Sequence, residues 1–67
     1  MEFNNDSNIS EIERIIGNPN TVIIKKWGYG SNDGVQSFVF YDLKVDNKDK
    51  RVCFEYVFGK IKDANFL

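Results

Sequence analysis

Histidine is absent from this chain, and cysteine and proline occur once each, at Cys53 and Pro19. Each shortage removes a class of chemistry. One thiol cannot build a disulfide framework, and one thiol without histidine cannot complete a tetrahedral zinc site. The usual general base is missing as well, so Cys53 has no partner to activate it as a nucleophile. Nor is there an excess of charge of one sign: nine Lys plus Arg stand against ten Asp plus Glu, a net charge of −1. A domain that wraps nucleic acid carries a large positive excess, so the composition disfavours that partner. Long apolar runs are lacking too, since Thr21-Val22-Ile23-Ile24 gives way at once to Lys25-Lys26. Nothing nears the ~20 apolar residues of a membrane-spanning helix. The polar, acidic stretch Met1–Ser10 does not read as a secretory signal. With Met1 as the natural start, a cytoplasmic protein with a reduced Cys53 is expected.

What the chain has in plenty is aromatic surface. Ten of its 67 residues are Phe, Tyr or Trp. That length allows one domain, which buries only about 60 % of its unfolded surface, so the aromatics must carry the core.

The expected architecture is α+β: one short N-terminal helix packed on a three- to four-stranded antiparallel meander. Residues 1–8 read as a flexible lead-in, and residues 9–67 as a single domain. Ser10 with Glu13 forms a capping-box pattern, which predicts a helix start there. Ile9, Ile12, Ile15 and Ile16 recur at helical spacing and form one apolar stripe. Gly17 suits a left-handed cap, and Pro19 forbids continuation. The helix is then two turns long and must lie on a sheet.

Four strands follow. Thr21–Trp27 is rich in β-branched residues, and residues 28–34 form a glycine-bearing turn. Residues 35–45 make a long strand with Val35, Val39, Tyr41 and Leu43 opposed to Phe38 and Phe40. Residues 46–50 read as a charged turn, and Arg51–Phe58 alternates Val52/Phe54/Tyr56/Phe58 against Arg51/Cys53/Glu55. Gly59-Lys60 turns into a last strand, Ile61–Phe66. Short connections make the pairing antiparallel.

This progression resembles the SmpA/OmlA (BamE-like) domain. The matching residues are Ile15-Ile16-Gly17-Asn18-Pro19, then Trp27-Gly28-Tyr29, Phe38-Val39-Phe40, and Phe54-Glu55-Tyr56-Val57-Phe58-Gly59-Lys60-Ile61. Roughly residues 9–62 are covered, and a half-domain of the β-lactamase inhibitor protein is similar. The resemblance implies a non-catalytic scaffold that binds proteins through a sheet face and its loops. The lipobox cysteine and signal peptide of the envelope lipoproteins have no counterpart here.

The candidate sites are few. The glycine-rich run 28–34 is not a phosphate loop, because a strand rather than a helix follows it. Tyr29 reads as either a binding tip or core. Trp27, Phe38 and Phe40 read as either a ligand-binding aromatic wall or core under the helix, and the core reading is the expected one. Lys25, Lys26, Lys48, Lys50, Arg51, Lys60 and Lys62 read as solvated turns and edge guards. Asp42 and Glu55 are isolated carboxylates with no catalytic company. The chain is therefore expected to be a protein-binding module rather than an enzyme, without cofactor or metal. Its concrete form is a stoichiometric inhibitor or adaptor of the size phages and mobile elements encode. An envelope-assembly domain of the BamE type is the alternative, and a nucleic-acid binder ranks third. The expected contact residues are Tyr29, Asn32 and Asp33 at the first hairpin tip, and Lys48, Asp49 and Lys50 at the second. A strand such as 35–45 with a free edge leaves homodimerisation open.

Overall fold

The computed structural model describes residues 5–67, with side chains from Asn8 onward. Helix α1 spans Asn5–Gly17 and is followed by β1 (Val22–Gly30), β2 (Gln36–Val45), β3 (Lys48–Val57) and β4 (Lys60–Phe66). The strands form one antiparallel sheet in the order β1-β2-β3-β4, the expected meander with four strands. Strand β2 lies inside the sheet and has no free edge; the edges are β1 and β4.

The isoleucine stripe does what its period requires. Ile12 is fully buried against Leu43, Val52, Phe54 and Ala64, and Ile9, Ile15 and Ile16 pack around that cluster. The helix lies chiefly along β4, at one side of the sheet. It has 13 residues rather than two turns, so Ser10 and Glu13 ride its exposed surface and cap nothing at its start. Of the expected lead-in, residues 1–4 lie outside the described residues and 5–8 are helical.

The helix also ends differently. Gly17 is not left-handed; among glycines only Gly34 and Gly59 have positive φ. The last turn is closed by Thr21, whose hydroxyl donates to the Ile15 carbonyl at 2.7 Å, with the Asn18 amide on the same oxygen at 3.2 Å. These two bonds satisfy a carbonyl that the helix end would leave orphaned.

Two hairpins turn on pairs of left-handed residues, Asp46-Asn47 and Phe58-Gly59. Both positions positive is the signature of the type I′ turn, whose twist matches the strands it joins. The charged run 46–50 is therefore mostly strand, and Phe58 leaves β3 for a turn.

Each edge strand carries one irregularity. Ile24 is extra in β1, where the register shifts between Ile23 and Lys25. Lys62 is extra in β4, where Tyr56 faces Ile61 but Glu55 faces Asp63. A bulge resets which face the following side chains take. Because of Lys62, Ile61 packs with the core while Asp63 turns to the other face, and Ala64 is buried.

Candidate functional site: the open aromatic face of the sheet

Strand alternation assigns the face away from the helix. Tyr41, Leu43, Val52, Phe54 and Tyr56 belong to the helix-side core, so their sequence neighbours point the other way. The register then gives three rows across the open face. Tyr29, Phe38, Glu55 and Asp63 form the first, and Trp27, Phe40, Cys53 and Asn65 the second. Lys25, Asp42 and Arg51 form the third.

The four aromatics at the β1–β2 side form a connected patch. Trp27 stacks on Phe40 with centroids 5.2 Å apart and planes at 14°. Tyr29 spans Phe38 at 5.3 Å and Phe40 at 5.9 Å. Such pairs contribute about 0.5–1.5 kcal/mol each beyond area burial. The expectation that Trp27, Phe38 and Phe40 lie under the helix is corrected: they lie on the opposite face. Both sides of the sheet are aromatic, and alternation alone does not say which one a helix covers. Tyr29 is 64 % exposed, and Trp27, Phe38 and Phe40 are half-buried.

Glycine sets the closeness of β1 and β2. A Cβ on Gly28 would stand 2.4 Å from the Phe38 carbonyl oxygen, and one on Gly30 2.7 Å from the Ser37 Cβ. Those two gaps let the strand between Trp27 and Tyr29 sit tight on β2.

Cations finish one end of the patch. The Arg51 guanidinium lies 4.9 Å from the Trp27 ring centroid, and Lys25 Nζ 5.2 Å from it. Arg51 is also bidentate to Asp42, donating from Nε at 2.7 Å and from Nη2 at 3.2 Å. That hydrogen bond holds the Asp42 carboxyl below its ordinary pKa and raises that of Arg51. Asp42 and Arg51 therefore lock each other and brace Trp27. They are a structural pair, with no proton left to exchange near neutral pH.

Of the expected contact residues, Tyr29 belongs to this face, but in β1 rather than at a tip. Asn32 and Asp33 do sit in the β1–β2 turn, where Asp33 accepts the Val35 amide at 3.1 Å. Lys48, Asp49 and Lys50 are not at a tip: they pair with Val45, Lys44 and Leu43 along β3. The Asn32–Asp33 turn and Lys48 stand at opposite ends of β2, roughly 30 Å apart at about 3.3 Å per residue. Even Tyr29 and Lys50 pair with β2 residues, Phe38 and Leu43, that are roughly 17 Å apart on the same rise. The fold does not join them.

Phe58 is a residue the sequence concealed. It is 74 % exposed and holds φ at +50°, with its amide donating to the Val35 carbonyl at 2.8 Å. A bulky side chain in the left-handed region is uncommon and costs stability. Its proximity to Gly59 was the available signal, since a two-residue turn closing on glycine favours φ > 0 at both positions.

Two shallow grooves lie on the described surface. One of about 430 Å³ is lined by Ile24, Asp42, Leu43, Asp49, Lys50, Arg51 and Leu67. The other, about 270 Å³, lies where the helix end meets Tyr41, Phe54, Tyr56 and Ile61. Among the described residues there is no cluster of metal-ligating side chains, and no helix is long and apolar enough to cross a membrane. Comparison with protein families, with curated proteins and with solved structures finds no match.

Proposed function

We propose that this domain is a non-catalytic protein-binding module, acting as a stoichiometric inhibitor or adaptor, and that it docks through the open face of its sheet. One observation carries the reading: Trp27, Tyr29, Phe38 and Phe40 form a connected aromatic patch that no helix or strand among the described residues covers. Rigid aromatics present large contact area at low entropic cost and dominate protein interfaces. Exposed Phe58 at the adjoining end adds an anchor that the isolated fold has no use for.

The test is capture from the native host with immobilised protein, comparing wild type with the double variant Tyr29→Ser/Phe38→Thr and with Lys48→Ala/Lys50→Ala. A specific protein should be enriched by wild type and by the lysine variant, and lost with the aromatic variant. Equal capture by all three refutes the face as the docking surface.

Single-stranded nucleic acid is the second reading, favoured by Lys25 and Arg51 over Trp27 on an open sheet. Aromatic stacking beside cations is how such strands are held. Binding that falls steeply with salt would carry it; the chain's net charge of −1 argues for protein.

A further inference from the structure

Resting on the protein-docking reading, we infer that the open face is built to seat a basic side chain, lysine or arginine, flanked by apolar residues of the partner. The seat is the aromatic patch together with Glu55 and Asp63.

The argument begins with a rule the fold breaks. Like charges directly opposite on paired strands destabilise a sheet, yet Glu55 and Asp63 face each other across β3 and β4. The bulge at Lys62 creates this confrontation, by turning Asp63 onto the open face instead of leaving it in step with Ile61. Bulges that re-aim side chains are a feature of functional edges.

Among the described residues neither carboxylate has an ion-pair partner. Glu55 accepts from the Gln36 amide at 2.7 Å. Asp63 accepts from the Ala64 backbone amide at 2.9 Å and from Asn65 Nδ2 at 3.2 Å. These donors are neutral. The ion pairs found among the described residues, Arg51–Asp42 and Lys44–Asp49, lie toward the other end of the sheet. Cys53, next to both carboxylates, registers their charge: burial first, then Glu55 and Asp63, raise its thiol pKa. At one end of the face Asp42 is matched by Arg51, with Lys25 beside them, and the other end keeps two carboxylates beside Phe38 and Tyr29.

That juxtaposition selects its ligand. Aromatic faces attract cations within about 6 Å of their centroids, and a carboxylate pair adds charge-assisted hydrogen bonds. A cation seated there relieves the Glu55–Asp63 repulsion while its aliphatic stem lies on the rings. An anionic strand meets the same two carboxylates as a barrier.

The experiment uses the full chain, isotopically labelled, titrated by NMR with N-acetyl-Phe-Arg-Phe-amide, its Gln and Glu counterparts, and the oligonucleotide dT8. The Arg peptide should shift the Tyr29, Phe38, Glu55 and Asp63 signals. It should bind about fivefold tighter than the Gln peptide, the gain one exposed ion pair gives. Glu55→Gln and Asp63→Asn should each erase that advantage and leave Gln-peptide binding unchanged. Neither variant should lower the melting temperature, because each removes a repulsion. Equal binding of the Arg, Gln and Glu peptides overturns the basic-ligand inference and leaves the aromatic docking face standing. Tighter binding of dT8, or no shift with any peptide, also overturns it, and the capture comparison then judges the docking face separately.

Discussion

Replacing Gly17 by alanine tests the helix end at a position where the sequence and the structure demand opposite outcomes. A left-handed cap penalises any Cβ, so Gly17→Ala would destabilise. In the structure Gly17 is the last helical residue without a positive φ, and a Cβ there meets nothing within 4 Å. Alanine then gains the ordinary helical advantage over glycine, about 0.5–1 kcal/mol, mostly by restricting the unfolded chain. A domain of this size shifts its melting temperature by roughly 4–8 °C per kcal/mol. The expected change is thus an increase of about 2–8 °C, read by circular dichroism at pH 7. Thr21→Val is the companion measurement, since it deletes the hydroxyl donor to the Ile15 carbonyl and should cost about 0.5–1.5 kcal/mol. A fall in melting temperature for Gly17→Ala would refute the account of how this helix stops.

Phe58→Asn creates Asn-Gly, the preferred type I′ pair, and should stabilise by about 1 kcal/mol in a denaturant titration; no gain would mean that φ at 58 is not strained. Gly28→Ala pushes a Cβ to 2.4 Å from the Phe38 carbonyl oxygen. It should cost about 1–3 kcal/mol and weaken amide protection of β1, and a neutral result would show that the strands can separate freely. Asp42 has a depressed folded pKa, owed first to the Arg51 hydrogen bond. Its contribution to stability is therefore present above the ordinary carboxylate pKa and disappears as pH falls through the lower folded value. An NMR titration should find the Asp42 midpoint higher in Arg51→Gln than in wild type; an unchanged midpoint would discard the pairing.

The parts of the fold that were legible in the sequence are those with an uninterrupted period. Ile9, Ile12, Ile15 and Ile16 named the buried helix face, and Val52, Phe54 and Tyr56 named the core side of β3. Local signals failed where a distant contact decides. Ser10 with Glu13 fits a helix start and an exposed helix surface equally well, and nothing in the motif says where propagation halts. Gly17 and Pro19 predicted a stop correctly, but the bond that makes it comes from Thr21, six residues after Ile15. The open face was partly hidden because aromatics occupy both sides of β2: Phe38 and Phe40 on one, Tyr41 on the other. Only the seating of the helix along β4 reveals which side stays bare. The Glu55–Asp63 confrontation was illegible, since it depends on one extra residue, Lys62, that pure alternation does not announce.

Only Ile12, Leu43, Val52, Phe54 and Ala64 are buried among the described residues. So thin an interior leaves a narrow margin between the native chain and its unfolded ensemble. Anything that grips the native form deepens that margin by mass action, about 2.7 kcal/mol at a hundredfold excess over the dissociation constant. On the docking function proposed above, cellular lifetime would be coupled to occupancy: molecules bound to a target would persist, and surplus copies would be degraded first. The cell's stock of this protein would track its target without a dedicated regulator.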